Sequence, residues 1–182
     1  MQYTNDSQFP VSPNMQHGNS KNWSMADVSG KSTTRRVAIA GGKILLGRKA
    51  FQLLSEGRLP KGDPLAMAEI AGIQAAKRTP SLIPLCHPIA LNRVMVHSIP
   101  RPEDYSVEVF CVAEVAEKTG VEMEALTGLS IALLTIWDLT KPVNPALEIT
   151  NNRLIYKSGG KSGVWIHPDG LPDEVESILA GL

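Results

Sequence analysis

Several features that would announce a specialised class are scarce or missing. Among 182 residues there are only two cysteines, Cys86 and Cys111, too few for a disulfide framework or a four-thiolate metal site. A reducing cytoplasm is the simplest setting for such a chain. Neither sign of charge dominates, with 18 Lys plus Arg against 18 Asp plus Glu. Nothing chain-wide therefore draws a nucleic acid or a membrane surface, and any anion site must be a local cluster. Aromatic residues make up 5%, which argues against an RNA module that stacks bases on sheet aromatics. The most apolar run, residues 129–137, is interrupted by Ser130 and Thr135 and is far short of the roughly 18 residues a membrane span needs. It reads as a buried helix segment. The first residues have neither the basic start nor the apolar core of a secretory signal.

What is present is an ordinary globular composition, 43% hydrophobic and 20% charged, in a length that fits one domain of about 150 residues plus tails. Residues 1–24, rich in Asn, Gln, Ser and Pro, are expected to be a disordered extension. A domain follows over residues 25–167. Residues 168–182 read as a docking tail or a linker, with a short helix at 173–179 set off by the turn formers His167, Pro168, Asp169 and Gly170.

Within the domain, helices and strands alternate. A helix over residues 49–55 is closed by Gly57. Asp63 followed by Pro64 supplies an N-cap and a first-turn proline for an Ala-rich helix reaching about Arg78. That helix is narrow, so close packing against another backbone is expected. Pro80, Pro84 and Pro88 then predict a stiff, extended segment. Residues 91–99 and 105–115 read as a β-hairpin, the second strand having one core face. Thr119 to Glu122 has the form of a capping box for the longest helix, which runs to about Thr140. A last hairpin is predicted over residues 147–157, turning at Asn151 and Asn152. This pattern argues for an α+β fold, a ferredoxin-like antiparallel sheet with helices on one face.

Several groups can do chemistry. Cys86-His87 admits a metal reading with Cys111 and His97, but no CxxC or HxxxH spacing supports it, and a buried thiol beside a hydrogen-bonded imidazole is favoured. Ser158-Gly-Gly-Lys-Ser-Gly163 lacks phosphate-loop spacing, since position 155 is Ile155 and no helix follows. It can form an anion nest with Lys157 and Lys161, although a solvated flexible tail is the favoured reading of these residues taken alone. Asp138 and Lys141 are three apart and share a helix face. Glu124 shares that face but stands ~21 Å up the axis at 1.5 Å per residue. Either both are ordinary helix-end charges or two copies of the chain bring opposite ends together at an interface.

The runs Lys61-Gly-Asp63, Ala71-Gly-Ile-Gln-Ala-Ala-Lys-Arg-Thr79, Leu82-Ile-Pro-Leu-Cys-His-Pro88, Lys118-Thr-Gly-Val-Glu-Met-Glu-Ala-Leu-Thr127 and Lys157-Ser-Gly-Gly-Lys-Ser-Gly163 together resemble the MoaC family of cyclic pyranopterin monophosphate synthases. The resemblance runs from about Asp27 to Gly163 and makes residues 25–167 the catalytic domain. It implies a ferredoxin-like subunit in a homohexamer, a trimer of dimers with active sites at dimer interfaces. The implied reaction belongs to molybdenum cofactor biosynthesis. A GTP-derived 3′,8-cyclic intermediate, a purine-derived triphosphate, becomes cyclic pyranopterin monophosphate with release of pyrophosphate, which is lyase chemistry.

Carried over residue by residue, the resemblance makes Lys61, Asp138 and Lys141 the proton-transfer groups. Leu85, Cys86, His87, Glu122, Met123 and Glu124 fall at the substrate pocket, and Arg36, Lys77, Lys157 and Lys161 at the basic positions for the triphosphate. No resident cofactor or metal is implied, though Mg²⁺ can accompany the phosphates. Nucleic-acid and membrane partners are not expected. The chain departs from the family pattern at Pro142, where a small residue is usual, at Gly128, where Ala is common, and at Trp137, where Tyr is commoner. A non-catalytic member binding a purine nucleotide or a partner enzyme is the alternative that Pro142 raises.

Overall fold

A computed structural model of the chain describes residues 23–182. The expected N-terminal extension lies outside the described residues except for Trp23 and Ser24, both exposed. The described chain runs β1 (Thr34–Leu45), α1 (Arg48–Ser55), α2 (Pro64–Ala76), α3 (Thr79–Leu82), β2 (Arg93–Arg101), β3 (Ser106–Glu117), α4 (Glu122–Thr140), β4 (Glu148–Ser158), β5 (Trp165–Ile166) and α5 (Asp173–Ala180).

The five strands form one antiparallel sheet in the order β2-β3-β1-β4-β5. Because β3 lies antiparallel between β1 and β2, those two run parallel with a strand interposed. That split βαβ arrangement is the ferredoxin-like topology, extended here at one edge by β5.

The central strand is the largest element that the sequence reading does not anticipate. β1 reads Thr-Arg-Arg-Val-Ala-Ile-Ala-Gly-Gly-Lys-Ile-Leu, and its Ala and Gly residues carry little strand propensity. Packing explains them. A Cβ on Gly41 would collide with Ile155 and Phe110 on one face of the sheet, and one on Gly42 would come within 2.9 Å of Leu133 on the other. Small residues in the middle of β1 thus let both layers approach the sheet.

The predicted last hairpin is instead one strand. β4 pairs with β1 from Leu45↔Glu148 to Val37↔Ser158 without turning back. Asn151 and Asn152 lie opposite the single residue Gly42, and Asn151 takes φ +55°. The two asparagines form a β-bulge, which uses the same left-handed tolerance that makes Asn a turn former. The long uninterrupted edge of β1 decides between the two outcomes.

Other elements follow local chemistry more closely. The Asp63 side chain accepts from the backbone N–H groups of Leu65 and Ala66, with Pro64 opening α2. The proline-rich segment differs from expectation at its start, where Thr79–Leu82 make one helical turn. Pro80 is tolerated there because a first-turn residue has no intrahelical N–H bond to lose. The capping box is also absent. Val121 is the N-cap of α4 and makes no side-chain cap bond.

The larger core lies between the helices and one face of the sheet, where Leu129, Leu133 and Ile136 of α4 meet Ala38, Ala40 and Ile44 of β1 and Val107, Val109 and Cys111 of β3. Helices α2 and α4 touch backbone to backbone: a Cβ on Gly72 would stand 2.9 Å from the Gly128 carbonyl, and one on Gly128 would stand 3.0 Å from the Gly72 carbonyl. Among the described residues α4 is the one helix long and apolar enough to cross a membrane by length and composition. Here its apolar face is spent on the sheet.

The second face of the sheet is also covered. Phe110 and Val112 of β3, with Val37, Ile39 and Ile155, pack against Val175 of α5, which is fully buried, and against Leu171, Ile178, Leu179 and Leu182. Arg101 binds both Glu108 at 2.7 Å and Glu174 of α5, while Arg153 binds Asp169 at 2.5 Å. β3 therefore has two core faces, the second covered by the C-terminal segment.

Candidate active site

The two ends of α4 carry two clusters. At the C-terminal end Lys141 follows the last helical residue, and its Nζ donates to Asp138 Oδ1 at 2.7 Å. Lys61, on the loop before α2, donates to Asp138 Oδ2 at 2.8 Å and to the Asp138 carbonyl at 3.1 Å. The Lys141 and Lys61 hydrogen bonds together hold the Asp138 carboxyl down at about 2. The group is an exposed carboxylate with an ammonium on each oxygen, so proton donors and an acceptor stand within one hydrogen bond of each other. Pro142 does not turn Lys141 away, because Lys141 keeps helical dihedrals and its N–H donates to the Trp137 carbonyl at 2.8 Å.

At the N-terminal end of α4 a cavity of about 230 Å³ opens between the proline-rich segment and the helix. Leu85, Cys86 and His87 line it from one side, and Glu122, Met123 and Glu124 from the other. Glu124 is only 3% exposed. Burial pushes its carboxyl up, with the charge of Glu122 adding to the effect against a bond from its own backbone N–H. Burial likewise pushes the Cys86 thiol up, and nearby Glu124 adds to it. Lys157 of β4 reaches across to Glu122 at 3.0 Å. The cavity thus pairs a carboxyl that resists ionisation with one that is already salt-bridged.

Three wall residues escaped sequence reading: Ala26, Thr119 and Gly120. The last two flank the helix start inside a motif already noted. Ala26 carries no chemical signal in its side chain and enters through its backbone.

The basic positions divide. Arg36 lies along the end of β3, its Nε donating to the Glu117 carbonyl at 3.1 Å and its Nη2 to the Lys118 carbonyl at 3.3 Å. The glycine loop folds onto it: Gly159 and Gly160 have φ +100° and +71°, and a Cβ on Gly160 would come within 2.5 Å of the Arg36 guanidinium. Taken alone these glycines read as a solvated tail, and contact with Arg36 overturns that reading. Arg36 and Lys157 therefore approach the cavity rim through Lys118 and Glu122. Lys77, at the C-cap of α2, and Lys161, beyond the glycine pair, are exposed and do not line the cavity.

Cys111 is sealed beneath α4, where a Cβ on Gly128 would stand 2.6 Å from its Sγ, and burial pushes its thiol up to about 12. Among the described residues no three of His, Cys, Asp and Glu are grouped to hold a metal ion.

The family model of MoaC matches residues 25–160, most of the chain. The chain belongs to the MoaC family. A protein of Rhodospirillum rubrum named cyclic pyranopterin monophosphate synthase is 47% identical over 141 residues, covering 78% of this chain and 85% of the relative. One of Thermomicrobium roseum with the same name is 47% identical over 145 residues, covering 80% and 87%. A relative from Arabidopsis thaliana, named as the mitochondrial synthase, is 49% identical over 141 residues, which are 78% of this chain and 52% of that protein. The MoaC match ends close to the glycine pair, so β5 and α5 lie beyond it.

Proposed function

We propose that this MoaC chain is a cyclic pyranopterin monophosphate synthase of molybdenum cofactor biosynthesis. It is a lyase that rearranges the GTP-derived 3′,8-cyclic triphosphate and releases pyrophosphate. The observation that carries the reading is the Lys61, Asp138 and Lys141 cluster, where one carboxylate holds two ammonium groups at 2.8 and 2.7 Å. Opening and reclosing a purine-derived ring requires protons to be given and taken at successive atoms, and such a cluster supplies both. Closing the cyclic phosphate forms a bond from a sugar oxygen to the α-phosphorus and breaks the bond to the pyrophosphate oxygen, and the hydroxyl proton passes to a base. Arg36 and Lys157 at the cavity rim supply positive charge for the phosphates, and exposed Lys77 and Lys161, outside the cavity, are the further cations that the family resemblance implies. No resident cofactor is required; a divalent cation enters, if at all, with the triphosphate.

The two clusters sit at opposite ends of a helix running from Glu122 to Thr140, with Glu124 and Asp138 ~21 Å apart along it at 1.5 Å per residue. One small substrate cannot span that distance, so a working site draws Asp138 from one copy and Glu124 from another. Exposed Met67, Ile70 and Leu134 on α2 and α4 offer apolar surface for that pairing. The assembly in this reading is a homohexamer, a trimer of dimers, acting in the cytoplasm. A non-catalytic role would be favoured had Pro142 drawn Lys141 off Asp138, which it does not. The test supplies the purified chain with the cyclic triphosphate and follows pyrophosphate and product. Absence of turnover at micromolar enzyme overturns the reading.

A further inference from the structure

The cavity wall includes backbone from outside the motifs that form the rest of it. His87 Nε2 lies 2.8 Å from the carbonyl oxygen of Ala26. A carbonyl only accepts, so the ring nitrogen facing it carries the hydrogen. In a neutral imidazole the lone pair then resides on Nδ1, and no protein group among the described residues bonds that atom. A second tether holds the same stretch: Lys118 Nζ donates to the Ser29 carbonyl at 3.2 Å. Within the arm the Asp27 carboxylate accepts from the Ser29 N–H at 2.9 Å, and past the second tether the Lys31 N–H donates to the Val28 carbonyl at 3.1 Å, closing a turn. Both tethering side chains come from segments that build the cavity, His87 from its proline-stiffened side and Lys118 from the residue before Thr119.

We infer that the arm formed by Ala26 to Lys31 is a positioning element of this site: the Ala26 carbonyl fixes His87 with its hydrogen on Nε2, leaving Nδ1 to accept from an O–H or N–H of the purine-derived substrate. The inference rests on the proposed function for the identity of the substrate, but not for the contact itself. Fixing a tautomer through the second ring nitrogen is a general way of giving an imidazole one role rather than two. Lys118 and Asp27 act through the arm and touch no reacting atom. The arm orients His87, and its Ala26 also forms part of the cavity wall.

The test uses the full chain labelled with ¹⁵N-histidine, without substrate, at a pH about two units above the ordinary imidazole value of about 6.5. The His87 resonance is assigned with His87→Gln. The expected spectrum has a protected ring N–H on Nε2 of His87. In a variant carrying Asp27→Ala and Lys118→Met the arm is released, and that N–H signal is expected to vanish through exchange with water. With the cyclic triphosphate as substrate, kcat of the released variant should fall about tenfold, the worth of one oriented hydrogen bond, with a smaller change in KM. Lys118→Arg, which still donates to the Ser29 carbonyl, should retain both signal and kcat. A hydrogen on Nδ1 in the unaltered protein overturns the inference. So does a released variant with the signal or the kcat of the unaltered protein. If the unaltered protein shows no turnover, the proposed function fails, while the spectrum still decides the contact.

Discussion

Lys61 and Asp138 are 77 residues apart in the chain and 2.8 Å apart in space, Nζ to Oδ2. The contact joins the loop before α2 to the last turn of α4, and Lys141 completes it from the other oxygen. All three groups are about half exposed, so solvent screens the pair and its contribution to stability is small. Its value lies in setting protonation states beside one another.

The Asp138 carboxyl should therefore titrate near 2 rather than at its unperturbed 3.8, held down first by Lys141 and then by Lys61. The sign follows from the depressed folded value. What the ion pairs contribute is present above the unfolded value and lost as pH falls through the folded one. Carbonyl ¹³C titration of Asp138 reads this directly. Lys61→Ala should move the midpoint up while leaving it below 3.8, because Lys141 remains, and an unmoved midpoint would count against the geometry. Turnover should fall much more than thermal stability in Lys61→Ala and in Lys141→Ala, since exposed groups away from the core usually change stability by less than about 0.5 kcal/mol.

The sequence displayed local chemistry well and long-range pairing poorly. Asp63 with Pro64 marked the start of α2 because capping is settled within three residues. β1 went unread because Ala and Gly in a strand are explained only by what presses on them, Phe110 and Ile155 from one face and Leu133 from the other. Asn151 and Asn152 carry the same backbone tolerance in a bulge as in a turn, and only the reach of β1 distinguishes the two. Thr119 to Glu122 had the form of a capping box, yet Glu122 is taken by Lys157, a partner 35 residues away. At the site, Asp138 and Lys141 are legible from their spacing on one helix face and Lys61 only through the family resemblance, whereas Ala26 contributes a carbonyl that every residue possesses.

Gly128 is fixed by Cys111. A Cβ at this position would stand 2.6 Å from the Cys111 Sγ and 3.0 Å from the Gly72 carbonyl. Gly128→Ala should lower unfolding free energy by about 1 to 3 kcal/mol, the range for overpacking a close-packed core. Adding Cys111→Ala removes the nearer obstruction and should recover part of the loss, a coupling expected between residues in contact. Denaturant unfolding of the two single variants and the double variant measures it. Strict additivity would show that the thiol is not what excludes the methyl group.

Gly159 and Gly163 both have positive φ, +100° and +66°, but only Gly159 is crowded, by the Arg35 carbonyl and the Arg36 Cα. Gly163→Ala should cost about 1 to 2 kcal/mol, the left-handed penalty alone. Gly159→Ala should cost more, because the backbone it meets cannot turn aside. It should also raise KM for the triphosphate by shifting Arg36. Equal melting temperatures for the two variants would show that the loop can relax away from Arg36.

The shared site makes the sharpest prediction. Glu124 is buried at the first turn of α4 and Asp138 is exposed at its last, separated by ~21 Å of straight helix at 1.5 Å per residue. If one substrate needs both, each functional pocket contains the Glu124 of one copy and the Asp138 of another. Glu124→Gln and Asp138→Asn chains should each be inactive alone, since every pocket in either assembly lacks one native carboxyl. Coexpressed, they form mixed dimers in which one pocket carries both substitutions and the other neither. Activity should then return to a fraction set by the proportion of mixed dimers, up to about half per mixed dimer. Differently tagged chains purified through both tags isolate that species. Mixed dimers no more active than either parent would place both groups in one copy's pocket, or make one of them dispensable, and the argument from helix length would fail.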